Sequence, residues 1–432
     1  MTTTAPIVDN AISEARARGF GPFEYLQSRG YVQDVSDLPG LRQAFADGVV
    51  TAYVGFDPTA PSLHVGHMLG MMMLAALQRF GHRPIALGGG GTALVGDPSG
   101  KTSTRTIVSE EEIRANLASI LAQFTRYLDF AGNRWGNNPP ALLLNNADWL
   151  LSLHYIPFLR DIGRHFSVNE MLAAETYRTR LETTGLNFVE FNYRLVQAYD
   201  FLHLFRTEGC TLQMGGSDQW GNIVAGVELI RKADSGHAFA LVCPLLTTAS
   251  GAKMGKSEGN SLWLDPELTP PYDFYQYWIN VDDADVERLL RLYTFLPESR
   301  IEELTHSEGI GLREAKQMLA REVTTLAHGE TATESAEAAT RALFSGAPDS
   351  ADPNIPTTEI PAREAAGMAL ADLFVRAGLV PSRGEARRKA AEGALWMDGE
   401  RLENVDAPFQ PGSDATLLRF GKKRHRRIRV VP

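Results

Sequence analysis

Cysteine is nearly absent from this chain of 432 residues: Cys210 and Cys243 are its only two. That is too few for a disulfide framework or a cysteine-based zinc site. Long apolar runs are missing as well, and no stretch approaches the ~20 residues needed to cross a bilayer. The opening stretch MTTTAPIVDNAISEARARGF has no apolar block of the kind that marks a secretory signal. Internal repeats are lacking too. Hydrophobic residues make up 44% and charged residues 22%, which excludes a mostly disordered chain. What remains is a protein of about three domains by length, expected in the cytoplasm and off the membrane.

Basic charge is in short supply: 42 Lys and Arg stand against 52 Asp and Glu, a formal net charge of −10. Taken whole, that argues against nucleic acid as a partner. The deficit is uneven. Residues 363–432 carry 14 basic and 9 acidic side chains, a surplus of +5, which leaves residues 1–362 at −15. The last stretch, GKKRHRRIRVVP, has six Lys or Arg and no acid. A solvated tail is the plain account of such a run. Its place on a separate small unit favours contact with RNA.

Over residues 1–245 short β-branched runs alternate with amphipathic stretches, the rhythm of an α/β domain with a parallel sheet. Strands are expected at Thr51–Phe56, Arg83–Gly88, Leu142–Asn146 and Thr211–Gly215. A helix should run from Ser62 to a stop at Gly81, with Leu63, Leu69, Met72, Met73 and Leu77 on its buried side. Ser109 and Glu112 form a capping box for another, reaching about Asp129. Residues 246–345 read as a loop followed by a helical domain: from about Pro266 to Ser345 strand signals cease and helical periodicity predicts an all-helical fold. Residues 346–365 read as a linker, rich in Pro, Asp and Thr up to residue 361. The final unit, 366–432, combines a helix at Met368–Ala377 with a second one capped by Ser382 and Glu385. Asp398-Gly399 stands where a type I′ hairpin turn is wanted.

The residues that carry chemistry gather at strand–turn–helix junctions. GFDPTAPSLHVGH sets Thr59, His64 and His67 around a helix start, where free N–H groups and the helix dipole favour a phosphate. Two histidines three apart can share a helix face. A metal site would need a third ligand, and neither one nor an HExxH pattern is nearby. LGGGGTALVGDPSGKTSTR matches a loose dinucleotide pattern through Gly88, Gly90 and Ala93. It also approaches a P-loop, but Gly96 and Gly100 enclose three residues where four are required. Close backbone packing beneath a helix accounts for these glycines equally well. Asp97, Lys101 and Arg105 then form a carboxylate and two cations at a strand's carboxyl end, where α/β sheets bind ligands.

In FVEFNYRLVQAYDFLHLF, Tyr193, Gln197 and Asp200 fall at i, i+4 and i+7 on one helix face. A solvated face usually carries Lys, Glu and Arg; these directional groups suit a small polar ligand. An Asp among Leu195, Val196, Phe201 and Leu202 needs a partner if buried. MGGSDQWGN puts Ser217, Asp218 and Gln219 at another helix start. KMGKS, with Lys253 and Lys256, is either a solvent-exposed loop or a mobile arm bringing two cations to a phosphate.

Together these residues resemble the class I aminoacyl-tRNA synthetase family, and within it the bacterial tyrosyl branch. HVGH (His64–His67) stands in the place of HIGH, and KMGKS (Lys253–Ser257) in that of KMSKS. GFDPTA, GDPSGK, QAYDF and GGSDQWGN follow in the family's order and spacing, from about residue 20 to the C-terminus. GGSDQW with QAYDF favours the tyrosyl over the tryptophanyl branch. The resemblance implies a Rossmann-like parallel-sheet catalytic domain, an all-helical domain on the anticodon side, and a small α+β S-four-like RNA-binding domain.

It further implies a ligase that activates L-tyrosine with ATP, accompanied by Mg²⁺, and passes the tyrosyl group to the 3′-terminal adenosine of tRNA(Tyr). Thr59 and His64 would contact the phosphates, with Lys101, Arg105, Lys253 and Lys256 closing over them. Tyr53 and Asp200 would meet the phenolic hydroxyl, Asp97, Tyr193 and Gln197 the ammonium group, and Gln219 the carboxylate. Gly55, Asp57, His67, Gly216 and Asp218 would serve the nucleotide. Arg383, Arg387, Arg388, Lys389, Lys422, Lys423 and Arg424 would grip tRNA phosphates in a salt-sensitive way. The family implies a homodimer. Two departures stand out: Val54 replaces a cysteine that touches the ribose in many members, and Gly255 replaces the serine of KMSKS. The glycine pattern leaves a nicotinamide-dependent oxidoreductase as a rival. A non-catalytic RNA-binding protein is a second, disfavoured by the intact HVGH and both loop lysines.

Overall fold

The computed structural model describes residues 9–97, 109–173, 177–178, 181–182, 185–248, 251, 254, 256–257, 260–306, 311–344, 355–411, 415–421 and 424–432. Contacts divide the chain into two compact units, Met1–Asp265 with Asp282–Ala315, and Pro266–Val281 with Lys316–Pro432. Among the described residues no helix is long and apolar enough to cross a membrane.

The first unit is built on a six-stranded sheet of β1 (Asp34–Val35), β2 (Thr51–Phe56), β3 (Arg83–Gly88), β4 (Leu142–Asn145), β5 (Cys210–Gly216) and β6 (Phe239–Cys243), in the order β1-β6-β5-β2-β3-β4. Strands β2 to β6 are parallel and β1 is antiparallel to β6. A parallel sheet covered on both faces needs apolar residues on both. That is why TAYVGF, RPIALG and FALVC show no polar alternation, and every residue of β6 is buried. The chain steps outward from β2 through β3 to β4, then returns to lay β5 and β6 on the other flank. Such a reversal leaves a crevice at the carboxyl ends of β2 and β5.

Helix α1 (Val65–Arg79) follows β2, and its residues Met71 to Gln78 are buried without a break. The expected one-sided helix is therefore buried all round, as an apolar sequence without a polar stripe should be. Its buried Gln78 amide is satisfied by the carbonyls of Asp129 and Pro139, at 2.7 and 3.0 Å. Helix α2 (Glu110–Gln123) has the expected Ser109 cap. It stops short of Asp129 because Phe124 turns into the core against Phe56, 4.9 Å between ring centres. Helix α3 (Phe188–Glu208) opens on an Asn187–Glu190 capping box and closes at Gly209, whose φ of 61° suits a left-handed C-cap. Helix α4 (Trp220–Asp234) follows β5. Short strands β7 (Lys256–Ser257) and β8 (Asn260–Ser261) pair as an antiparallel hairpin.

The helical stretch 246–345 does not form one domain; it is divided between the units. Helix Val286–Tyr293 belongs to the first unit, where Arg29 donates to the carbonyls of Leu290, Arg291, Thr294 and Leu296 at the helix's C-terminal end. Those carbonyls have no partner within the helix, so a buried guanidinium is a natural cap. Tyr31 donates to Leu292 O at 2.6 Å, and Tyr293 to Val65 O at 3.1 Å. Periodicity tells that a segment is helical, not which sheet it packs on.

The second unit holds α5 (Pro271–Ile279), most of α6 (Gly311–His328), and α7 (Glu330–Phe344). It also holds a five-stranded sheet of β9 (Thr357–Pro361), β10 (Leu395–Met397), β11 (Glu400–Arg401), β12 (Thr416–Phe420) and β13 (Arg424–Val431), in the order β11-β10-β12-β13-β9. Helices α8 (Leu370–Arg376) and α9 (Arg383–Ala391) supply Leu373, Phe374 and Ala386 to a core shared with Leu395, Leu418 and Ile428. Strand β9 corrects the expected linker 346–365, since residues 357–361 pair in parallel with β13 and bury Ile360 completely. The prolines flanking this strand hide it in the sequence, yet an edge strand tolerates them. Asp398 and Gly399 have φ of 48° and 85°, as a type I′ turn requires.

Candidate active site

A cleft of about 330 Å³ opens at the carboxyl ends of β2 and β5. Tyr53, Gly55, Asp57, Thr59, His64 and His67 enter it from β2, the following turn and the start of α1. Tyr193, Gln197 and Asp200 reach it from α3. Asp97 comes from beyond β3, and Gly216, Asp218 and Gln219 from the end of β5. Lys101, Arg105 and Lys253 lie outside the described residues, as do Lys422, Lys423, Gly255 and the side chain of Lys256.

Asp200 is 2% exposed and accepts from Asn146 Nδ2 at 2.8 Å and Trp149 Nε1 at 2.7 Å. Burial pushes its carboxyl up to about 7; the two N–H donors pull against this, and the negative Asp57 adds to it. Tyr53 is buried nearby, edge-on to Phe201 at 5.4 Å, and its hydroxyl has no partner among the described residues. Burial, with Asp200 beside it, raises that phenol well above its usual value, so it stays a donor. The carbonyl oxygens of Gln197 and Gln213 are also buried without partners among the described residues, and both side chains line the cleft.

Two further carboxylates are already engaged. Asp57 accepts from Thr92 Oγ1 at 2.8 Å and from the Tyr193 hydroxyl at 3.2 Å. Asp97, 8% exposed, accepts from Gln219 Nε2 at 2.7 Å, and Gln219 Oε1 accepts from Asn222 at 3.2 Å. Thr92 also accepts from Asn146 Nδ2 at 3.0 Å, so a continuous set of hydrogen bonds joins Asp57 to Asp200.

The histidines form a capping box in which imidazoles replace the usual N-cap hydroxyl and N3 carboxyl groups. His64 is the N-cap, its Nδ1 accepting from Gly66 N at 3.0 Å, while His67 Nδ1 accepts from His64 N at 3.2 Å. Their rings stack with centres 3.9 Å apart. A neutral imidazole whose Nδ1 accepts must carry its hydrogen on Nε2. Both rings therefore present an N–H donor at a helix N-terminus, an arrangement suited to anionic oxygen.

The glycine run serves close approach. A Cβ on Gly88 would stand 2.4 Å from Leu117 of α2, and one on Gly89 would stand 2.1 Å from the Asp57 carboxylate. Val54 lines the cleft as an apolar wall. Sequence reasoning missed Asn146, Trp149, Thr92 and Gln213. The paired asparagines at the carboxyl end of β4 were the visible signal for Asn146; Trp149, one turn further on, carried none.

In the second unit Arg383, Arg387, Arg388 and Lys389 lie on α9. Each is paired, with Asp372, Asp406, Glu385 and Glu392 respectively. Arg424, at the start of β13, donates to Gly378 O at 2.9 Å.

The family described as tRNA synthetases class I (W and Y) matches residues 46–345, and the tyrosine–tRNA ligase SYY-like C-terminal domain matches residues 349–428. The tyrosine–tRNA ligase of Clostridium beijerinckii is 48% identical over 410 residues, 94% of this chain and 98% of that one. The chain belongs to the tyrosine–tRNA ligase family. The family member from Cereibacter sphaeroides is 49% identical over 411 residues, 94% of this chain and 97% of its own. A C-terminally truncated mitochondrial tyrosyl-tRNA synthetase of Aspergillus nidulans has a similar structure, with a TM-score of 0.69 and 32% identity over 78% of this chain and 98% of that one. Membership in this class I ligase family carries the use of ATP with it.

Proposed function

We propose that this chain joins L-tyrosine to ATP, releasing pyrophosphate, and transfers the tyrosyl group from the adenylate to the 3′-terminal adenosine of tRNA(Tyr). The observation that carries the proposal is the blind end of the cleft. There a buried carboxylate, Asp200, and the hydroxyl of Tyr53, unpartnered among the described residues, stand ready for one more polar group. A phenolic hydroxyl fits that demand, and phenylalanine would leave the Tyr53 hydroxyl without a partner, at roughly 1–3 kcal/mol for a buried polar group, and Asp200 with only Asn146 and Trp149. Asp97, Tyr193 and Gln197 would receive the ammonium group, and Gln219, whose Nε2 has a second N–H besides the one given to Asp97, the carboxylate.

The attacking carboxylate is already an anion, so adenylate formation needs no general base. Catalysis then rests on positioning and on donors for the charge that gathers on the departing pyrophosphate. Thr59, His64 and His67 lie at the start of α1, where the two Nε2–H groups would donate and the positive end of the helix dipole favours anionic oxygen; Lys101, Arg105, Lys253 and Lys256 would add cations. Gly55, Asp57, Gly216 and Asp218 would hold the ribose and base, with Val54 offering shape but no hydrogen bond. Among the described residues no group of His, Cys, Asp and Glu forms a metal cage. Mg²⁺ would therefore be held chiefly by the phosphates of ATP.

Arg383, Arg387, Arg388, Lys389, Lys422, Lys423 and Arg424 would serve tRNA. A homodimer is the proposed assembly, supported by exposed Leu151, Tyr155, Ile156, Val168, Phe188 and Val189 within one stretch of the first unit. The two cysteines, both buried and unbridged, suit a reducing cytoplasm. The test is tyrosine-dependent exchange of pyrophosphate into ATP, run beside tryptophan and phenylalanine, followed by charging of tRNA(Tyr). Pure, folded protein without tyrosine-dependent exchange would sink the proposal.

A further inference from the structure

The strand that returns from the β7–β8 hairpin is stitched to the HVGH motif on both sides of His64. Val65 N donates to Leu262 O at 3.0 Å, Leu264 N to Leu63 O at 2.8 Å, and Asp265 N to Ser62 Oγ at 3.1 Å. Ser62 is itself held by Gln123 Nε2 at 3.0 Å. His64 and Trp263 are directly opposite in this antiparallel bridge. Side chains opposite one another in such a pair project to the same side. Leu262 and Leu264 accordingly turn into the core, at 5% and 3% exposure, while Trp263 meets His64.

The result is a row of five rings. Trp263 and His64 have centres 5.9 Å apart, His64 and His67 3.9 Å, His67 and Phe56 6.4 Å, and Phe56 and Phe124 4.9 Å. The inner end is anchored by two buried phenylalanines, 3% and 0% exposed. The outer end is Trp263. His64 precedes the first helical residue, and its Nδ1 bond to Gly66 N and the two neighbouring rings bear on its orientation.

We propose that Trp263 is a positioning residue for His64, holding the imidazole that lines the cleft in the orientation that offers its Nε2–H to a phosphate. This rests on the reading of His64 as a phosphate donor. Trp263 is not among the residues lining the cleft, so its effect on the reaction runs through the ring it touches. It also lies two residues beyond Ser261, the register partner of Lys256. The backbone carrying one signature motif thereby sets the donor of the other.

A double-mutant cycle in the full-length protein tests it, with tyrosine-dependent pyrophosphate exchange as the readout. Trp263→Ala and Trp263→Leu should each lower kcat by about tenfold, the scale of one lost aromatic pair, with the KM for tyrosine unchanged. Trp263→Phe should restore most of the rate. In a His64→Ala background, Trp263→Ala should change kcat by less than about twofold, because contacting residues couple. If His64→Ala alone keeps full activity, the phosphate reading of His64 fails and the proposal with it. If His64→Ala is impaired but Trp263→Ala multiplies its loss undiminished, only the positioning role is overturned. Full activity in Trp263→Leu, or a parallel loss of tyrosine affinity in Trp263→Phe, overturns it as well.

Discussion

Asn146 donates to Asp200 at 2.8 Å and to Thr92 at 3.0 Å from the same amide nitrogen. Its oxygen is fixed in turn by Gly91 N at 2.7 Å. The asparagine therefore has one orientation, and the Asp200 carboxylate is braced before any ligand arrives. Asn146→Ala removes one of the two donors that oppose the effect of burial on Asp200. The expected result is a fall of about tenfold in kcat/KM for tyrosine, the scale of one hydrogen bond to a charged group. Exchange kinetics at varied tyrosine check it, and the KM for ATP should stay constant.

The raised carboxyl of Asp200 makes stability depend on pH in the empty protein. An aspartate in the unfolded chain releases its proton near pH 4, whereas folded Asp200 keeps it until about 7. Between those values the folded state binds more protons than the unfolded state, so stability from this group falls as pH rises. It is fully present below about pH 4 and lost above about 7. Melting of the ligand-free protein across pH 4–7 should show the midpoint of the wild type declining against that of Asp200→Asn. A constant difference would place Asp200 at its ordinary value.

The strand limits of β2 and β3 were legible to the residue, because buried parallel strands read as apolar runs bounded by glycine, proline and charge. The polar stripe of α3 was legible too, since Tyr193, Gln197 and Asp200 obey helical spacing. What brackets Asp200 was not. Asn146 and Trp149 lie some fifty residues away in the chain, in a turn with no period, and only the sheet order brings them together. The same limit explains the helical stretch 246–345. Arg29 and Tyr31 claim the end of helix Val286–Tyr293 across more than 250 residues, a pairing no local pattern announces.

Exposed apolar residues are ordinary when scattered; their concentration between residues 151 and 189 is not. Ile156 and Phe188 are 70% and 66% exposed. A second copy of the chain is the proposed cover. Ile156→Glu or Phe188→Glu should convert a dimer into monomers in sedimentation velocity, without loss of melting temperature. A wild type that sediments as a monomer at micromolar concentration would remove the basis for this assembly.

The α9 cations are all paired within the unit, yet the pairs are exposed and weak. Arg387 holds Asp406 at 2.8 Å and Arg388 holds Glu385 at 2.6 Å, with side-chain exposures of 58% and 66% for the two arginines. Such pairs are solvated and screened by salt, so a phosphate can take the place of the carboxylate. The surplus of +5 over residues 363–432 supplies the long-range attraction. Replacing Arg387 and Arg388 together by alanine should leave tyrosine-dependent exchange unchanged and raise the KM for tRNA. The dependence of log affinity on log salt should flatten by about 0.7–0.9 for each lost phosphate contact. An unchanged slope would mean that these arginines serve only their carboxylates, and that the grip lies elsewhere in the basic run.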